Sequence, residues 1–281
     1  MEKKELIFGS IGYTILYNKL YDCEILLLSD NHDEYQKQCN RSDLLVLNKE
    51  DDIQINDYLQ TLLDKNYIIM IEEVPFRIDK KTLVGLWDNS DHVKNIRIFF
   101  EKNIKNKKLI PFDIRFELID SFDPTDYNEI ILKDYILNIY NFFILKHSFF
   151  NDLLLYSKKI DDSVIRRYYI TLMMKFYKLC NENKQNMHIK IKSIINKDIL
   201  IEKIQELLSE IMEFYVLLKL YDLIKINKKI VIYAGLYHID NIKTLLIKYY
   251  DFVIKEQYGK NNIILNDIDN FDNQCIIKPK F

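Results

Sequence analysis

Four short polar clusters each stand just past a β-like apolar run, and the residue types they bring together are those of a hydrolytic site. Ser29-Asp30-Asn31-His32 follows Glu24-Ile25-Leu26-Leu27-Leu28. Glu72-Glu73 follows Tyr67-Ile68-Ile69-Met70-Ile71, and Asp113-Ile114-Arg115 follows Leu109-Ile110-Pro111-Phe112. Gly235-Leu236-Tyr237-His238 follows Ile230-Val231-Ile232-Tyr233-Ala234. Parallel sheets gather functional groups at the carboxyl ends of their strands. Two histidines, several carboxylates and an arginine at that end are suited to activating water, with or without a metal.

Each cluster has a bland reading beside the chemical one. A histidine in the polar loop after a strand, as at His32, is usually an exposed side chain. Glu72 and Glu73 are adjacent on a strand, so one of them should face a given wall and the other should not. Either one suits a general base or a metal ligand, or an ion pair with Arg77. Asp113 and Arg115 share a face if the strand persists. Arg115 then clamps an anionic group or simply pairs with Asp113 or Glu73. Gly235 lets the backbone come close where a strand turns into a helix, which leaves the helix N-terminus facing a ligand. His238, three residues on, looks back over the strand end, where it is expected to contribute little packing.

The elements that must position these groups follow from periodicity. Strands are expected over 24–29, 67–71, 109–114, 230–234 and 251–257. Residues 5–17 suggest an N-terminal hairpin, and Leu44 to Leu47 and Cys275 to Lys278 short edge strands. A helix over 51–65, capped by Asp51 or Asp52, puts Ile55, Leu59, Leu62 and Leu63 on one face. Another over 92–105 carries Val93, Ile96, Phe99, Phe100 and Ile104. This β–α–β–α–β order predicts a parallel sheet. Residues 129–227 hold no convincing strand and read as helices over about 129–157, 161–181 and 198–226. The last has two apolar stripes, so it must be covered on more than one side. The α/β pattern then resumes, with a helix over about 239–249. The expected fold class is α/β, a mainly parallel sheet flanked by helices. Residues 1–128 and 228–281 form its two halves, and 129–227 is an all-helical insertion between the third and fourth core strands.

Composition limits the alternatives. The net charge of -2 and the lack of a basic block argue against a nucleic-acid partner. The most apolar stretch, Tyr135 to Tyr156, is interrupted by Asn138, Asn141, Lys146, His147, Asn151 and Asp152, so no membrane partner is expected. The four cysteines, at 23, 39, 180 and 275, show no metal-finger spacing. With no leader-like N-terminus, the expectation is reduced thiols in a cytoplasmic setting. The remaining histidines, His92, His147 and His188, receive structural readings.

The same residues carry a resemblance. The sequence resembles a divergent member of the superfamily that joins erythromycin esterases, ChaN-like haem-iron-uptake proteins and TraB/Tiki proteases. Its members have an early Gly-x-x-His or Gly-Glu-x-His after the first strand and a glutamate ending the second. An arginine follows, then a late Gly-x-x-His, with helices between the halves. Here Ser29 to His32 fits the first motif with serine for glycine. Glu72 or Glu73 fits the glutamate, Arg115 the arginine, and Gly235 to His238 the late motif. Proteins of large DNA viruses with this pattern, including a cysteine at the place of Cys39, also look similar, which would put the chain in host cytoplasm or a virion. The resemblance implies an EreA/ChaN-like fold and hydrolysis of an ester or peptide bond in a small-molecule or peptide substrate. The catalytic residues would be His32, Glu72 or Glu73, Arg115 and His238, supported by Asp30, Asp113 and Gly235. A divalent Mn, Co or Zn would sit on His32, Glu73 and His238. One alternative is a catalytically inactive binding or virion-associated protein that retains the fold. Another, suggested by Asp30-Asn31-His32 alone, is a calcineurin-like metallophosphoesterase, although its Gly-Asp-x-x-Asp, Gly-Asn-His and Gly-His-x-His motifs are absent.

Overall fold

The computed structural model describes residues 5–31, 53–75, 91–115, 129–140, 163–262 and 275–281. The chain forms two compact units, residues 1–113 with 221–281, and residues 114–220.

The first unit is α/β. Its main sheet contains β2 (Gly12–Asn18), β3 (Cys23–Asp30), β5 (Ile68–Pro75), β6 (Leu109–Asp113), β7 (Lys229–Gly235) and β8 (Val253–Gly259). They lie in the order β6-β5-β7-β3-β2-β8. The four strands that precede the polar clusters are neighbours and run parallel, whereas β2 is antiparallel to both β3 and β8. The sheet is therefore mixed. Ile25 to Leu28 and Ile230 to Tyr233 are fully or almost fully buried, as expected for strands covered on both faces.

A second, small sheet contains β1 (Leu6–Phe8), β4 (Ile53–Gln54) and β9 (Cys275–Ile277), in the order β4-β1-β9. The hairpin expected over 5–17 does not form: β1 pairs with β4 and β9, while β2 pairs with β3 and β8. The linker explains the change of sheet. Gly9 takes a positive φ of 96°, and Ser10 Oγ donates to the backbone carbonyls of Gly12 and Ser29. Gly12 itself touches β8 so closely that a Cβ would lie 1.8 Å from the Lys260 carbonyl oxygen. The helix expected from residue 51 begins at 55, because Ile53 and Gln54 pair with Ile7 and Phe8 instead. The possible strand at 44–47 lies outside the described residues.

Helices α1 (Ile55–Asp64) and α2 (Asp91–Asn103) share one core cluster with Leu26, Leu28, Ile69, Ile71, Val231 and Tyr233. Helix α6 (Leu236–Tyr250) packs against β3 and β7, with Ile239, Ile242 and Leu246 buried. None of these three belongs to that cluster. Thus β7 leads into a helix outside the cluster that holds α1 and α2, the helices that follow β3 and β5. In open α/β sheets ligands bind at the carboxyl ends of the strands where such a reversal occurs.

The second unit is helical in its described residues apart from a bridge between Ile131 and Lys190. It holds α3 (Leu132–Tyr140), α4 (Ser163–Glu182) and most of α5 (Lys197–Ile226). Helix α4 buries Ile165, Leu172, Phe176 and Leu179, a helical spacing, and its Tyr168 and Tyr169 rings meet Phe214 of α5 at 5.4 and 6.1 Å. Helix α5 is buried all round from Ile211 to Leu218, which matches its two apolar stripes. At the polar end, Glu129 pairs with Lys190 at 2.8 Å and with Lys192, and these hydrogen bonds draw its carboxyl down to about 2. Among the described residues, no helix is long and apolar enough to cross a membrane.

Candidate functional site

Three carboxylates and a histidine are buried at the carboxyl end of the parallel strands. Asp30 closes β3, Glu72 lies in β5, Asp113 ends β6, and His238 stands in the first turn after β7. Their exposures are 3%, 1%, 2% and 7%. Polar side chains this deep require partners.

For Glu72 and His238 the partners are each other. His238 Nε2 lies 3.2 Å from Glu72 Oε1, and the Gly235 N–H donates to Glu72 Oε2 at 2.8 Å. One carboxylate from β5 therefore holds both the start of α6 and the imidazole that α6 carries. Gly235 is the N-cap of α6 and has no side chain to cap with, so Glu72 supplies the acceptor from the neighbouring strand. A negative group there is also favoured by the helix dipole. At the helix N-terminus expected to face a ligand, the Gly235 N–H is thus taken by Glu72. The expectation that His238 contributes little packing is corrected as well. It lies on the buried side of α6, and the Tyr237 ring meets it edge-on at 5.3 Å.

Simple alternation does not place Glu72. Ile71 pairs with Pro111 and Pro75 with Asp113, so Glu72, Glu73 and Val74 stand opposite Phe112 alone. Ile69, Ile71 and Val74 all enter the same core cluster, a change of parity that requires the irregularity. The strand bulges at the residue that contacts His238. No pattern in the sequence marks that bulge.

Ser29, which occupies the place of a glycine in the resembling motif, has a structural task. Its hydroxyl lies 3.0 Å from the Gly12 carbonyl oxygen and 2.6 Å from that of Lys260. It ties the ends of β2, β3 and β8 together. Asp30 pairs in register with Gly235, so its backbone adjoins the turn that Glu72 holds. Sequence reasoning missed Lys243, which is buried on α6 and donates to Asp240 Oδ1 at 2.8 Å, to the Asn261 carbonyl and to Asn262 Oδ1. It fastens the end of β8 to α6. A lysine among Ile239, Ile242 and Leu246 on the buried side was the signal that could have found it.

His32 and the side chain of Glu73 lie outside what the structure describes, as does Cys39. Arg115 is half-buried and is the second residue of the other unit. His188 is exposed, and His147 and the side chain of His92 also lie outside the described residues. Among the described residues, no group of three or more His, Cys, Asp and Glu side chains is placed to hold a metal ion. His238 turns Nε2 to Glu72, while His32 and the Glu73 side chain, the other members of the expected metal centre, lie outside the described residues. The arrangement of Glu72 and His238 suits proton transfer: a carboxylate fixes the ring and balances the charge the ring acquires when it takes up a proton.

No family model, curated protein or solved structure matches this chain.

Proposed function

We propose that the chain is a hydrolase of the EreA/ChaN-like kind that cleaves an ester or peptide bond. In this reading His238 is the general base and Glu72 its orienting carboxylate. The carrying observation is the buried contact between His238 Nε2 and Glu72 Oε1 at the carboxyl end of the parallel strands. With the Nε2–H directed to Glu72, the basic lone pair of the neutral ring is on Nδ1. That nitrogen takes a proton from water as its oxygen bonds to the substrate carbonyl carbon. The imidazolium, balanced by Glu72, then gives the proton to the departing oxygen or nitrogen as its bond to carbon breaks. Asp30 and Asp113, buried at the ends of β3 and β6, are supporting residues. The helical residues between β6 and β7 in chain order are consistent with the insertion such proteins carry, and Arg115 enters no step.

One observation favours a second reading, an inactive binding protein that keeps the fold. Glu72 also accepts the Gly235 N–H, so the pair has a structural task that survives without catalysis. Turnover of a panel of esters and peptides by the full chain separates the two. The enzyme reading expects turnover that falls about a hundredfold or more in His238→Ala and is partly restored by added imidazole, measured well below the melting point of the variant. Turnover that survives His238→Ala refutes the mechanism. No turnover on any substrate favours the binding protein.

A further inference from the structure

The turns at the amino end of the main sheet gather lysines that the sequence scatters. Strands β6, β5, β7 and β3 are parallel neighbours, so the turns that enter them lie side by side, and β2 ends and β8 begins along the same edge. All of these turns lie within the described residues. We propose that this end of the α/β unit is a docking surface for a membrane rich in anionic lipid. Lysine ammoniums meet the headgroups, and Leu20 and Ile226 insert between them.

The charge at this end is one-sided. Lys19 follows β2, Lys65 precedes β5, and Lys105, Lys107 and Lys108 precede β6. Lys19, Lys65, Lys105 and Lys107 are exposed and form no ion pair among the described residues. Lys108 donates to the Asn66 carbonyl at 3.1 Å, a neutral partner. Asp22 is engaged by Lys228, and Glu24 by Lys229 and Lys255. At these turns the exposed acids outside those pairs are Asp64 and Asp251. Neighbouring strands are about 5 Å apart, so six strand ends span roughly 25 Å, and the unpaired ammoniums act together on a charged surface. The whole chain carries -2, so the positive end is a product of the fold.

Lysines just past helix C-termini also balance helix dipoles. That need does not account for the aliphatic tips. Leu20 is 82% exposed and Ile226 is 76% exposed. They stand on neighbouring turns, joined where the Lys228 ammonium donates to the Tyr21 carbonyl at 2.9 Å and the Glu24 N–H to the Lys228 carbonyl at 2.8 Å. Ile104, before β6, and Val253, at the start of β8, extend the exposed aliphatic row. Aliphatic groups flanked by ammoniums suit the boundary between headgroups and acyl chains, where the charge stays with phosphate and the apolar group leaves water. A second copy would bring like charges together. A single-stranded nucleic acid would gain nothing from Leu20 and Ile226, which offer its bases no ring to stack on, and the turns carry no arginine. Glu72 and His238 lie at the other end of the same sheet, so docking leaves them turned away from the bilayer.

The test is co-sedimentation of the full chain with phosphatidylcholine vesicles, with and without phosphatidylserine. Reductant is left out, because Cys275 at the start of β9 is disulfide-bonded and not the reduced thiol expected from the sequence. Binding should require phosphatidylserine and weaken at least about tenfold on going from low to high salt. Lys105→Glu/Lys107→Glu should weaken it at least about tenfold, while Lys178→Glu/Lys184→Glu, the same charge change in the other unit, should leave it within about threefold. Leu20→Ser/Ile226→Ser keeps the charge and should also weaken it at least about tenfold. All of these positions are exposed, so each variant should melt close to wild type. No binding to phosphatidylserine vesicles overturns the proposal, as does equal binding to vesicles without it. An equal loss in Lys178→Glu/Lys184→Glu overturns the location. A loss in the Lys105/Lys107 variant with none in Leu20→Ser/Ile226→Ser, or tighter binding to single-stranded DNA than to the vesicles, overturns the lipid partner.

Discussion

The two ends of the main sheet hold their charges in opposite ways. At the carboxyl end Glu72 and His238 are buried, and each is the other's partner at 3.2 Å. At the amino end Glu24, the second residue of β3, meets Lys229 at 2.8 Å and also Lys255, while Lys228 reaches Asp22 at 3.4 Å. These lysines are half-exposed or exposed, and their charged heads meet water. If one member of an amino-end pair is removed, water can solvate the other. At the carboxyl end the remaining group is buried, where losing a charged partner costs more than at the surface. Groups concentrated where the fold most resists their removal are either structural anchors or a preorganised site, and the carboxyl end is where parallel sheets bind their ligands.

Breaking the buried pair should have the largest effect. Glu72→Ala leaves the imidazole and the Gly235 N–H without their acceptor. It should cost about 3–5 kcal/mol in denaturant unfolding. A loss under ~1 kcal/mol would show that water reaches this end freely, and the contrast between the ends would fail.

The crossing of β2 and β8 beside Ser29 is next. Gly12→Ala would place a Cβ against the Lys260 backbone, which has no flexible side chain to yield. Calorimetry should register a loss of about 1–3 kcal/mol. An unchanged midpoint would mean that the strand ends are not pressed together as described.

Glu24→Gln should cost no more than about 1 kcal/mol. Burial pushes the Glu24 carboxyl up, but hydrogen bonds from Lys229 and Lys255 outweigh it and hold the group below its ordinary value. A depressed carboxyl contributes stability that is complete above its unfolded value and is lost as pH falls through the folded one. The difference between wild type and Glu24→Gln should therefore be constant near neutrality and shrink as pH falls below about 4. A difference that grows on acidification would reverse the assignment.

Much of the frame was legible in the sequence. The strands before all four polar clusters are where the apolar runs put them, and they are neighbours in one sheet. Helix α5 is buried on several sides, as its two stripes require. Less legible was anything decided by contacts between distant residues. Residues 5–17 read as a hairpin because both segments are apolar and separated by glycines, but neither pattern states which partner each strand takes. At the candidate site the types were legible and the pairing was not. Glu72, Glu73, His238 and Gly235 were all named, but that Glu72 bridges to both His238 and Gly235 depends on β5 lying beside β7, about 160 residues away along the chain.

The sequence by itself determined which segments become strands and helices, because hydrophobic period and turn residues act within a few positions of one another. It also determined that carboxylates and a histidine stand at strand ends, since those polar residues interrupt apolar runs. Only the tertiary structure decided that β7 inserts between β5 and β3, that β5 bulges at Glu72, and that His238 turns inward to meet it. These are outcomes of register and burial across distant strands. Their energies arise only when the segments pack, so no local pattern records them.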